Sequence, residues 1–429
     1  MSTPCDVGEP EMTTGRWRVL APFEYREYRL LISAMSISLF AEGMWTVVMA
    51  LQVIALADDP AALSLVAACM GVGMLAFILV GGIVADRAPQ RAIIIAVETA
   101  NVAATGTVAV LGLLGELRLW HMAVAATVLG VGAAFFFPAY SAYLPRILPA
   151  SHLLAANGVE GAIRPTLQQA IGPAVAGVLI GLTFPALGTV TVAVLFAVGL
   201  TLLVAMRPGD GDHIVMAVER EKPHPLTDLR NGLSFVVHTA WLRWTLLFAS
   251  TWVFLALGPI EVLLPFIARN RFAHGEQVYG LLLAAFGLGS ALGALAVSSR
   301  RLPRRYLTVM MTMWGLGSLP LVIVGSTSSL PVMMVALFVV GVTDGAGMVI
   351  WGTLLQRRVP PEMLGRVSSL DFFVSLAFMP VSMAVAGPLS KVVPVELIFA
   401  VAGVAPMALA AIALVAARMP RDEIDHPLR

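Results

Sequence analysis

Four acidic residues stand inside long apolar runs of this chain: Glu42, Glu98, Glu261 and Asp344. In a bilayer core such a side chain costs at least about 2.5–3.5 kcal/mol on insertion scales, so it faces a wet cavity or a partner. Glu42 and Asp344 fall near the middle of their runs, and Glu261 toward one end of its own. No lysine or arginine shares the central level with them; Arg164 sits nearer an end. Acids without a fixed cation can take up and release protons, which is the chemistry this set suggests. Helical spacing shows what stands beside them. Ser38, Glu42, Trp45, Met49 and Gln52 recur at intervals of four and three and share one face. Asp344, Met348 and Trp351 share another, and Phe136, Tyr140 and Tyr143 a third. A wall of aromatic and methionine side chains containing an acid suits a bulky amphipathic cation or a neutral lipophile. Ordinary helix packing is the alternative for these stripes. Glu98 and Glu160 lie close enough to a membrane interface that a structural ion pair is expected of them.

Holding acids at such depth takes membrane-spanning elements. Of 429 residues 59% are hydrophobic and 12% charged, against about 25% charged in a soluble domain. No water-soluble fold hides that much apolar surface. With about 20 apolar residues per span, twelve helices are expected: 29–57, 61–85, 92–114, 120–143, 155–181, 186–206, 242–268, 278–298, 306–326, 331–355, 367–389 and 395–417. The chain divides into a tail (1–28), six helices (29–206), a polar connector (207–241), six helices (242–417) and a second tail (418–429). Of the 27 basic residues, 23 flank the helix ends on the side of the termini and 4 the other side, so both tails and the connector are expected in the cytoplasm. The first 28 residues hold no cationic stretch leading into an apolar core with a cleavage site, so no removable leader is expected. A net charge of +1 gives no field for nucleic acid. Cys5 and Cys69 make neither a disulfide framework nor a metal site. No G-x-x-x-x-G-K-[ST] occurs, and the connector is too short for a nucleotide-binding domain, which disfavours an ATP-driven pump. No nucleophile or metal constellation marks an enzyme, and no cofactor is expected.

The halves repeat. Residues 128–162 align with 338–373 at an offset of 211, pairing Gly130 with Gly341, Tyr140 with Trp351, Arg146 with Arg357, Pro149 with Pro360 and Glu160 with Asp371. Parallel six-helix repeats place a substrate site between the halves near the midplane. In the turn between the second and third helices, Gly82-Ile83-Val84-Ala85-Asp86-Arg87-Ala88-Pro89-Gln90-Arg91 resembles the G-x-L-A-D-R-x-G-R-K loop of the major facilitator superfamily. Gly82, Ala85, Asp86 and Arg87 match, Arg91 keeps the last cation, and Pro89 and Gln90 depart. In 167–177, LQQAIGPAVAG, residues Gly172, Pro173 and Gly177 resemble the fifth-helix motif of the superfamily's proton-coupled exporters. Gln168 stands there in place of the leading glycine. With 142–158, the chain most resembles the drug and siderophore export branch that includes macrolide and enterobactin exporters. Helix 4 lacks the arginine many drug–proton antiporters carry.

The resemblance implies an all-α integral membrane protein of the major facilitator fold, with twelve transmembrane helices in two pseudo-symmetric six-helix bundles. It implies a monomer in the plasma membrane that works with lipid, protons and a small amphipathic substrate by alternating access. Substrate would displace a proton from Glu42 or Asp344 and be carried outward, the proton gradient supplying the energy. Export of lysophospholipid or siderophore stands as an alternative, and an uptake symporter as a third reading. The turn suggests a cytoplasmic latch in which Asp86, Arg87 and Arg91 meet Asp371 while Glu160 meets the arginines at 300–305. Each charge-assisted hydrogen bond would contribute about 1.5–3 kcal/mol. Alternatively Arg87 and Arg91 only anchor the loop. The glycines of the helix 5 motif serve bending or close packing.

Overall fold

The computed structural model describes residues 18–207, 225–300 and 302–428, with the side chains of a few further positions outside the described set, among them Asp86, Arg87 and Arg366. The tail to residue 17, residues 208–224 of the connector and Arg301 thus lie outside the described residues. Twelve helices are long and apolar enough to span a membrane. We number them α1 (Arg26–Leu56), α2 (Pro60–Arg87), α3 (Gln90–Leu114), α4 (Leu119–Ile147), α5 (Val159–Leu182), α6 (Pro185–Val204), α7 (Ala240–Arg271), α8 (Gly275–Ser298), α9 (Tyr306–Ser326), α10 (Leu330–Arg358), α11 (Leu370–Ser390) and α12 (Val395–Ala416). Their starts are legible locally. Pro60 opens α2, and the Asp59 carboxylate accepts from the Ala61 N–H at 3.0 Å, satisfying a donor that the first turn leaves free. Gly115, at φ 75°, ends α3 in the left-handed region.

Regions expected to be plain tail or connector carry helices as well. Pro225–His238 precedes α7, and Met419–Asp425 follows α12. The last of these docks under the bundle. Glu423, 1% exposed, accepts from the backbone N–H groups of Leu307 and Thr308 and from the Thr308 hydroxyl at the start of α9. Arg358 at the end of α10 pairs with Asp422 at 2.5 Å and lies 4.7 Å over the Trp241 ring.

Lipid tails are as apolar as leucine, so helices in a bilayer associate through close packing rather than exclusion from water. Glycine faces supply it here. Gly73 and Gly130 let α2 and α4 meet backbone to backbone; Gly289 and Gly341 do the same for α8 and α10. The apolar core has an uneven shape. At the end away from the termini, one cluster runs continuously through both halves, from Met44, Leu63 and Met122 to Leu264, Leu282 and Phe399. Toward the termini it splits in two. One cluster holds Tyr28, Ile94, Tyr140 and Leu144, and the other Leu242, Tyr306, Leu354 and Val367. Among the described residues, the apolar core is shared between the halves at the far end and divided between them at the terminal end.

Candidate functional site

Glu42 lies on α1 where that helix crosses α5. Gly43 and Gly172 allow the crossing: a Cβ on either would strike the other helix's backbone. The Gln168 amide donates to the Glu42 carboxylate at 2.7 Å. Gln168 sits in a π-helical stretch, Pro165–Ile171, that follows Arg164 and leads into the Gly172-Pro173 pair. A wide turn of this kind inserts an extra residue per turn and re-aims the side chains on it; such turns concentrate at functional sites. So the position where this chain departs from the family's leading glycine supplies the partner of the acid. Arg164 pairs with Glu160 at 2.9 Å, stacks 4.3 Å from the Phe137 ring, and acts electrostatically on Glu42 without bonding it. Pro173 and Gly177 are buried farther along α5, where Gly177 meets Gly280 of α8. The motif's glycines therefore serve close crossings, and the distortion precedes them.

Glu261 also lies in a π-helical stretch, Pro259–Leu263 within α7. It is close enough to Tyr279 of α8 to act on it electrostatically. Glu261 thus sits in a local widening of its own helix, and Glu42 against one in the helix it crosses. On α10, Asp344 is partly exposed and Met348 is 55% exposed. By helical spacing Met348 lies opposite Val332, Val335 and Val339, the exposed outer stripe of that helix, so its exposure belongs to the space between the halves. Trp351 turns inward and donates its indole N–H to Asp371 at 3.0 Å, and the Ser375 hydroxyl donates to the same carboxylate at 3.2 Å.

Other expected wall residues are packed rather than open. Trp45, Met49 and Gln52 are 1%, 6% and 6% exposed within the shared far-end core. The reason is position: they lie on the half of α1 where the two bundles meet. Phe136 and Tyr140 stack at 6.1 Å, and Tyr140 with Glu160, Ser141 and Leu153 borders a cavity of about 230 Å³ toward the terminal end.

The latch residues take other partners in this conformation. Arg91 donates to the carbonyls of Leu203, Val204 and Met206 at 3.4, 3.1 and 2.9 Å. It caps the end of α6, where a cation meets the last carbonyls and the negative helix end. Glu160 holds Arg164, and Asp371 holds Trp351 and Ser375. The side chains of Asp86 and Arg87 lie outside the described residues. At Gly82 a Cβ would meet nothing within 4 Å, whereas one on Gly81 would strike Ala134 of α4; the close approach uses the neighbouring glycine. Charged contacts between the halves occur at the opposite end. Arg269 of α7 pairs with Asp58 at 2.6 Å, Lys391 with Asp59 at 2.9 Å, and the Ser64 hydroxyl accepts from the Gly387 N–H at 2.7 Å. Lys391 first, then the Ala61 N–H, holds the Asp59 carboxyl below its ordinary value. Sequence reasoning missed these pairs because they join residues some 200 to 330 positions apart.

The comparisons with known proteins agree with this fold. The family model described as transmembrane secretion effector matches residues 18–427. Macrolide efflux protein A of Enterococcus faecalis is 24% identical over 308 residues, covering 70% of this chain and 93% of that protein. The multidrug efflux pump Tap of Mycolicibacterium fortuitum is 27% identical over 379 residues, covering 84% and 88%. A crystal structure of a POT family transporter in complex with a thioalcohol-conjugated peptide shares the fold, with a TM-score of 0.69 at 11% identity over 91% of this chain and 96% of that one. The resemblance to the export branch read from 142–177 points to the same relatives. With twelve spans and a family match over nearly its whole length, the chain belongs to the transmembrane secretion effector family of major facilitator transporters, membrane carriers rather than enzymes.

Proposed function

We propose that this transporter exports amphipathic or cationic small molecules in exchange for protons, by alternating access. The observation that carries the reading is the Glu42–Gln168 contact at the π-helical stretch of α5. It puts an acid that can hold either a proton or a cationic substrate on the pivot between α1 and α5. Asp344 and the exposed Met348 on α10 supply the facing wall across the opening. The basic-residue asymmetry assigns the open, terminal end to the cytoplasm, so the conformation is one that receives cargo from inside the cell. The relatives named as macrolide and multidrug efflux proteins support export and a lipophilic cargo.

The test is uptake of the lipophilic cation ethidium into inverted membrane vesicles with and without an imposed pH gradient. We expect gradient-driven accumulation that is lost in Glu42→Gln and strongly reduced in Asp344→Asn. Accumulation that ignores the gradient would remove proton exchange. Lipid export is the second reading, favoured by a crevice of about 200 Å³ bordered by Phe254, Pro259, Val385, Leu389 and Leu397 between α7, α11 and α12. A fluorescent lysophospholipid moved by the wild-type chain in the same vesicles, with ethidium unmoved, would decide for it.

A further inference from the structure

Glu98 has no place in the scheme above, and the sequence suggests only an ion pair for it. Among the described residues the structure gives it no such pair. Its side chain is 1% exposed at the junction of α1, α3, α4 and α6. Its recorded partners are the Ser38 hydroxyl, in close contact with Oε1, and the Asn101 amide, 3.5 Å from Oε2. The surroundings leave no room for anything larger. A Cβ on Gly199 of α6 would stand 2.8 Å from Glu98 Oε1 and 2.9 Å from Ser38 Oγ, and one on Gly132 of α4 would stand 3.0 Å from Asn101 Oδ1.

The ionisable groups on the surrounding helices are few. α6 contributes none between Pro185 and Val204. α4 carries Tyr140, Tyr143 and Arg146 toward the terminal end and His121 at the other. α3 carries Arg91, engaged on the α6 carbonyls. From α1, Glu42 stands one turn beyond Ser38 on the same face and acts electrostatically on Glu98. A carboxylate so enclosed and without a cation is strongly disfavoured, and binding a proton relieves it. A second atom points the same way. Asn101 Oδ1 is buried with no donor, and an amide turned over would accept an O–H from a protonated Glu98.

We propose that Glu98 is a second proton-carrying carboxyl, coupled to Glu42 through the Ser38 face of α1. One proton is shared within the pair: when it leaves the Glu98 carboxyl for the Glu42 carboxylate, one negative charge moves the opposite way and the pair keeps the same net charge. The proposal rests on the proton-exchange reading for its role in the cycle, although the protonation itself is independent of cargo.

Infrared difference spectroscopy of the full chain in lipid nanodiscs tests it. The expected result is a protonated-carboxyl C=O band at neutral pH that is absent from Glu98→Gln, shifts in D₂O, and disappears at a different pH in Glu42→Gln. Loss of no band in Glu98→Gln would show the residue ionised and overturn the proposal. So would a band that is fixed against pH, D₂O and Glu42→Gln, the mark of a sealed structural proton, or one abolished by sodium ions at constant pH. Should Glu98→Gln fail to accumulate, Ser38→Ala keeps the carboxyl and removes its hydroxyl partner; the same band must then change frequency. Gradient-independent ethidium transport with these band responses intact would sink the proton-exchange reading and leave the Glu98–Glu42 coupling standing.

Discussion

A hydrogen bond to a charged group contributes about 1.5–3 kcal/mol, and removing one side leaves the other without its partner. Gln168 is such a donor for Glu42. Replacing it by glycine, the residue at that position of the family's motif, is expected to lower the initial rate of gradient-driven ethidium transport about tenfold or more. Protein abundance should stay near wild type, since the backbone there already tolerates a wide turn. Vesicle rates normalised to protein check this, and an unchanged rate would show that Glu42 works without its amide. Residue chemistry was half legible in advance. An acid in an apolar run announces itself, so Glu42, Glu261 and Asp344 stood out. Which neighbour would hold each acid did not, because Gln168 lies 126 positions from Glu42 and only the α1–α5 crossing brings them together. Glu98 was read by its distance from a helix end, a measure blind to the three helices that close over it.

At the scale of elements, two kinds of fastening hold the helices. One is the glycine crossing. Leucine at Gly177 must displace the α8 backbone at Gly280; overpacking of this kind costs about 1–3 kcal/mol. Thermal unfolding of Gly177→Leu in detergent should show a lower midpoint, with transport lost because α5 and α8 can no longer roll on each other. The other is the charged cap. Glu423→Ala removes the acceptor of three donors at the start of α9 and is expected to cost about 1–3 kcal/mol, read as a lower unfolding midpoint while gradient-driven transport survives at permissive temperature. Hydropathy located α9 well but gave no hint that an acidic tail returns to cap it. The tail's own residues are too polar to register as part of a membrane bundle.

For the whole molecule, the pairs Asp58–Arg269 and Asp59–Lys391 fasten the two halves at the end where the core is continuous. Both are solvent-exposed, and exposed pairs are weak and screened by salt. Asp58→Asn with Asp59→Asn is therefore expected to raise the far-end-open population only a few-fold. Spin labels at Ala57 and Phe272 would report this as a new long-distance component; its absence would make the pairs incidental. The pH dependence of the closure follows from Asp59. Its carboxyl is held below the ordinary value by Lys391, so the pair contributes at neutral pH and is lost only as pH falls through that lowered value. Acidifying the medium to about pH 5, still above the usual carboxylate value, should leave the Ala57–Phe272 distance unchanged. A distance that opened at that pH would make Asp59 a proton sensor.

What the sequence determined by itself was the set of spans, their repeat and the depth of the acids, because a bilayer imposes one length and one polarity on every crossing segment and each can be read locally. Tertiary structure decided the rest: that Trp45, Met49 and Gln52 pack where the halves join, that Arg91 caps α6, that the ionic closure sits away from the termini, and that Glu98 meets no cation among the described residues. These depend on which helices cross at which glycines, and a helical face carries no mark of the neighbour it will meet.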